Sequence, residues 1–139
     1  MSLFNVFDIT ATGMSAQSMR LNTTASNIAN ADSISSSVDE TYRARHPVFA
    51  AAMQKAAAGQ NESAVGVDVL GIVESNKPLN IEYSPEHPMA DQEGYIYKPN
   101  VNVIEEMTNM ISASRSYQTN VQLAESAKNM LNKTLQLGK

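Results

Sequence analysis

The chain has 139 residues, a formal net charge of -4 and no cysteine. That is the length of one ordinary domain, and it excludes disulfides and thiol chemistry. With 17% charged residues and no basic cluster, a nucleic-acid surface is not expected. No apolar run approaches a membrane span, Val48 to Met53 being the longest, and no apolar run in the first thirty residues exceeds two. Neither a transmembrane segment nor a cleavable secretory signal is therefore expected.

Residues 3 to 30 are predicted to form a helix. Phe7, Met14, Leu21 and Ile28 recur at intervals of seven, with Ala11, Ser18 and Ala25 beside them. An amphipathic helix on an ordinary core would give the same row. Only Asp8 and Arg20 are charged; Asn, Ser, Thr and Gln fill the other faces. Thr10, Thr12, Thr23, Thr24 and Gly13 make the helix intrinsically weak, so its order must come from packing. Both ends of the chain are expected to be disordered in a free monomer and to become helical on assembly.

Residues 31 to 41 read as a polar loop, and the character then changes. All five prolines lie between 47 and 99. Tyr42 to Phe49 suits a strand, while Ala50 to Ala58 suits either a short helix or a variable loop. Val65 to Glu74 is the strongest strand, Val-rich with glycines that suggest bulges. Leu79 to Tyr83 alternates with period two, Pro85 to Pro88 and Ala90 to Gly94 are turns, and Gly94 to Lys98 is a last short strand. One small antiparallel β unit is predicted.

From Asn102 to Leu137 there is neither proline nor glycine. Val103, Met110, Tyr117, Ala124 and Leu131 form one row seven apart; Met107, Ser114, Val121, Lys128 and Leu135 form a second, four residues on. This spacing predicts the seam of a long helix packing on another, roughly 55 Å in length. Asn102 is placed to cap its amides with Glu105 reaching back, and Gly138 is a natural stop. The other faces again carry uncharged amides and hydroxyls. Residues 3–30 and 101–137 cover 65 residues but hold 8 of the 24 charges. Amides and hydroxyls can be buried against a neighbour when hydrogen-bonded, so several sides of these helices are expected to meet protein. A two-helix hairpin with a bland surface is the plainer alternative.

No constellation of catalytic residues is present. His46 and His87 precede prolines and lack a second ligand at metal spacing, and Asp91 and Glu93 read with Gly94 as turn residues. No cofactor is expected. Arg115, alone within Ser112 to Tyr117, is either a contact to a neighbouring subunit or a solvated side chain. Asn27 and Asn30, three apart near the end of the first helix, could satisfy its last carbonyls, bridge to an adjacent subunit, or simply mark a polar helix end.

Several segments resemble a known family. Ser15-Ala-Gln17, Arg20-Leu-Asn22 and Ala25-Ser-Asn-Ile-Ala-Asn-Ala31 resemble the N-terminal signature of bacterial flagellar rod and hook proteins. Tyr95 to Asn102 followed by Glu106 to Gln118 resembles their C-terminal signature. The Gly66 to Glu74 segment, the His87-Pro-Met-Ala-Asp91 turn and the short length make the chain most similar to proximal-rod members.

The resemblance implies a mainly α fold with a small β insertion. Residues 1–31 and 100–139 would be the helices of an inner domain, termed D0, pairing as an antiparallel, coiled-coil-like unit around a loop and β-rich unit at 32–99. It implies a subunit of the flagellar basal-body rod, stacked helically with copies of itself and other rod proteins into the drive shaft that transmits torque around the export channel. Partners would be neighbouring basal-body components and the type III export apparatus, with no nucleic acid. The location would be the rod in the periplasmic space. Helix-packing or assembly roles fall to Phe7, Met14, Leu21, Asn27, Ile28, Asn30, Val103, Met107, Met110, Arg115, Tyr117, Val121, Leu131 and Leu135. A cytoplasmic helical adaptor or export chaperone is the competing reading, which the charge-poor surfaces suit poorly.

Overall fold

The computed structural model describes residues 3–52 and 66–138. Two long helices, α1 (Leu3–Ala29) and α2 (Val103–Leu137), flank two hairpins built from β1 (Arg45–Ala51) with β2 (Val67–Glu74) and β3 (Asn80–Tyr83) with β4 (Tyr95–Lys98). Most of 50 to 58, left open between helix and loop, lies outside the described residues. Where a single β unit was expected, the described residues form two separate two-stranded antiparallel sheets.

The helices run antiparallel. Asn27 meets Glu106, Arg20 Nη2 donates to Asn109 Oδ1 at 3.0 Å, and a Cβ at Gly13 would fall 2.8 Å from Asn120 Nδ2. Thus Gly13, costly to an isolated helix, sits where α2 comes close. Asn102 caps α2 as expected, its Oδ1 accepting from the Ile104 and Glu105 amides.

The buried threonines of α1 explain how a polar helix can be packed. Thr10 donates back to the Val6 and Phe7 carbonyls, and Thr23 to those of Met19 and Arg20. The Thr10 and Thr23 hydroxyls are thus satisfied within their own helix, leaving the methyl for packing.

The β1–β2 hairpin lies along α1 and is pinned at both ends. The Val67 amide donates to Thr12 Oγ1 at 3.3 Å, and Arg45 is held by Asn27. The fifteen residues from Thr12 to Asn27 rise about 22 Å as helix, close to the roughly 20 Å spanned by strand β1, so helix and strand lengths match. The glycine signal in β2 is realised as a bulge: Gly71 pairs with Val48 and Val69 with Phe49, leaving Leu70 extra.

In the second hairpin Asp91 organises the turn. Its Oδ1 accepts from the Glu93 and Tyr95 amides and its Oδ2 from the Tyr97 hydroxyl. These bonds, the Tyr95 amide foremost, hold the Asp91 carboxyl below its ordinary range. Gly94 adopts φ +86, where a side chain would also press on Tyr83 and Pro85. Ser35 bridges the free edge of β4 at Tyr97 and so joins the polar loop to this hairpin.

Candidate assembly interface

Among the described residues the fully apolar core is small: Ala16, Ala44, Ile96, Ala113 and Ala127. The large apolar side chains are mostly elsewhere. On α2, Ile104 is 78% exposed, Ile111 55%, Met130 59% and Leu137 88%. The fully buried apolar residues of the two helices are Ala16, Ala113 and Ala127, while many of the larger aliphatic side chains of α2 stand in the open. That inverts the arrangement of a self-sufficient domain, in which large aliphatic residues are the ones buried.

The residues of the expected seam differ in burial. Met110, Ala124 and Leu131, from the first row, are half-buried, while Val103 and Tyr117 are more open. Its companion row lies three residues on, at Glu106, Ala113, Asn120 and Ala127, rather than four on. Met107 and Leu135 are accordingly exposed; Val121 is half-buried. Apolar spacing pointed to the larger side chains, whereas close backbone approach selects small and polar ones. On α1, Phe7, Met14, Leu21 and Ile28 are all half-buried.

At one end of the helix pair the polar residues converge. Asn27 is completely buried. Its Nδ2 donates to the Arg45 carbonyl (2.8 Å) and to Glu106 Oε2 (2.9 Å); its Oδ1 accepts from the Tyr42 hydroxyl (2.9 Å) and the Arg45 amide (2.9 Å). Every hydrogen-bonding position of that amide is used. Beside it Arg45 stacks over the Tyr42 ring at 5.5 Å and pairs with Glu74. Burial pushes the Tyr42 hydroxyl above its ordinary pKa, the nearby Arg45 charge opposing and the Glu106 and Glu74 charges adding. Asn100, just before α2, supplies a second tie: its Oδ1 accepts from the Ala44 amide while its Nδ2 donates to the Ser75 and Lys77 carbonyls.

One expectation changes here. Asn27 neither caps α1 nor faces outward; it joins α1, α2 and β1 within one chain. Asn30 does close the helix, donating to the Ser26 carbonyl at 2.8 Å. Arg115 is exposed and makes no ion pair among the described residues. Glu106, Tyr42 and Asn100 were not singled out as site residues, because a polar bond across 79 positions, such as Asn27 to Glu106, leaves no periodic trace. The one available signal was a second glutamate after the one expected in the cap.

Among the described residues no three metal-ligating side chains come together, and no helix is long and apolar enough to cross a membrane. What the geometry offers is a long exposed apolar surface on α2.

Comparison with known proteins fits that surface. Residues 7–33 match the family described as flagella basal body rod protein, and residues 92–137 match the flagellar basal body rod FlgEFG protein C-terminal family. The chain is 46% identical over 138 residues, 99% of both chains, to the flagellar basal-body rod protein FlgC of Salmonella typhimurium. The chain belongs to the flagellar basal-body rod protein family. The FlgC of Yersinia enterocolitica is 47% identical over the same span, and that of Bacillus subtilis 30% identical over 150 aligned positions covering the whole of both chains. The rod-family matches fall on α1 and on the stretch from the Asp91 turn through α2, the two parts that meet at Asn27 and Glu106. The chain is a structural subunit of the basal-body rod, and the adaptor reading is not favoured.

Proposed function

We propose that this subunit polymerises helically with copies of itself and with other rod proteins into the drive shaft that carries torque and surrounds the export channel. The α1–α2 pair forms the inner, coiled-coil-like layer, and the two hairpins lie outside it. Residues 1–31 and 100–139 make up that inner domain and 32–99 the outer unit. The subunit passes the type III export apparatus with its ends unfolded, reaches the periplasmic rod without signal cleavage, and there meets neighbouring basal-body components. No catalytic role and no cofactor are part of this reading.

One observation supports it above the rest: Ile104, Met107, Ile111, Leu123, Met130, Leu135 and Leu137 of α2 are at least half exposed, while the only fully buried apolar residues among the described part of α2 are Ala113 and Ala127. Apolar surface on this scale is unfavourable in water at about 25 cal/mol per Å² and is removed when neighbours cover it. Met107 and Leu135 therefore take their packing role between subunits, and Tyr117 at the margin of the helix pair is placed to take part in both contacts. Arg115, exposed on α2, is placed to meet a carboxylate or carbonyl of a neighbour.

Fractionation of flagellar basal bodies tests the reading. The chain is expected in the rod fraction, and Tyr117→Asp is expected to prevent its incorporation and abolish swimming, because it sets a charge into a helix contact. Recovery of the chain only as a discrete soluble oligomer, with normal swimming of the Tyr117→Asp strain, would contradict it.

A further inference from the structure

Two successive backbone amides at the start of β1 are held by asparagines from opposite ends of the chain. The Arg45 amide donates to Asn27 at the end of α1, and the Ala44 amide to Asn100 just before α2. Asn27 in turn needs α2, because its second donor hydrogen goes to Glu106. We infer that Asn27 is a coupling residue: it makes the ordering of residues 41 to 45, and hence the seating of the β1–β2 hairpin on α1, conditional on the pairing of the two terminal helices.

The physical reason lies in the burial of this amide. With α2 in place Asn27 is completely shielded from water and all four of its bonds form in a low-dielectric setting. With α2 away, Glu106 is lost as acceptor and the amide is open to water. Bonds to Tyr42 and Arg45 then compete with solvent and hold the loop weakly. Thr41, itself buried and bonded to the Ser37 carbonyl, and Tyr42 would be released with it. A chain whose helices are still apart therefore does not present its outer hairpin in the final position. The hairpin locks when the helices close.

The absence of native cysteine allows a direct test. A Cβ at Gly13 lies 3.4 Å from Asn120 Cγ, so the pair Gly13→Cys with Asn120→Cys places two thiols within reach of a disulfide, fourteen residues along α1 from the junction. Hydrogen exchange of the Arg45 amide is then compared between the oxidised and reduced full-length chain. With Asn27 present, stapling the helices is expected to slow exchange at Arg45 by about tenfold or more, given the usual strength of buried charge-assisted bonds. With Asn27→Ala the same staple is expected to change it less than about twofold, while Asn30→Ala retains the full effect, since Asn30 bonds only within its own helix end. Glu106→Ala, which breaks the link from the α2 side, is expected to match Asn27→Ala; Glu106→Gln keeps an acceptor and is expected to keep the effect. Equal slowing with and without Asn27, or none with it, overturns the coupling. Failure of the two thiols to join would overturn it as well, by contradicting the helix register it depends on. Rod incorporation is a separate measurement, so the coupling and the rod reading can fail independently.

Discussion

The two ends of α2 carry similar residues and meet opposite fates. Near its start, Glu106 is 3% exposed and bonded to Asn27, and Ala113 is fully buried. Beyond Leu131 every described residue is exposed, with Leu135 at 64% and Leu137 at 88%. The register that pairs Asn27 with Glu106 and Gly13 with Asn120 brings Leu3 level with about residue 130, so the last turns of α2 run past the start of α1. A helix surface poor in charge thus does two jobs. At the junction its polar groups are consumed inside one chain; at the far end its apolar groups stay exposed in the single chain. Substitutions at the first end should change the stability of the single chain, and those at the second should change assembly alone.

The sharpest break of that contrast is Asn27→Asp. It removes both donor hydrogens and sets a carboxylate against Glu106 at the position now occupied by a 2.9 Å bond. Leaving like charges buried together is expected to cost roughly 3–5 kcal/mol in a urea denaturation series of the chain stapled through Gly13→Cys and Asn120→Cys. Asn27→Ala leaves its partners unsatisfied without the added charge and is expected to cost less, about 1–3 kcal/mol. Next is Gly94→Ala in the second hairpin, where φ is +86 and a Cβ would approach the Tyr83 ring to 3.0 Å; a loss of about 1–2 kcal/mol is expected by the same measurement.

At the far end Leu135→Asp is expected to shift the stability of the isolated chain by no more than about 0.5 kcal/mol, yet to remove the protein from basal bodies on fractionation. The mildest effect is one of pH. The Asp91 carboxyl is depressed in the folded chain, so the stability it lends is present above its unfolded pKa and is lost as pH falls through the folded value. The Glu93 and Tyr95 amide resonances are expected to move together on acidification below the usual carboxylate range, and Asp91→Asn to abolish that movement. The Asn27 amide does not titrate.

Much of the fold was legible because its signals are local. The heptad of Phe7, Met14, Leu21 and Ile28 gave α1 to within a residue, and Asn102 marked the start of α2 by a cap that needs only the next three residues. The bulge in β2 was foreshadowed by Gly71. The second row of the helix contact was not legible, because periodicity weighs apolar bulk and favoured Met107 and Leu135 over Ala113 and Ala127, whose small size lets the backbones approach. The junction was legible only in part: Asn27 and Asn30 stood out as a pair, but burial gave them different work. Tyr42 and Asn100 carry no pattern that ties them to it, since hydrogen bonds between distant segments follow the fold rather than the spacing.

The central claim is that the outer face of α2 is covered by other subunits in the rod. Single cysteines placed at Ile111 and Leu135, in a chain otherwise free of thiols, report this directly through the rate of maleimide labelling. Rapid labelling of the isolated chain and near-complete protection of both positions in intact basal bodies are expected. Equal labelling rates in the two states would contradict the account.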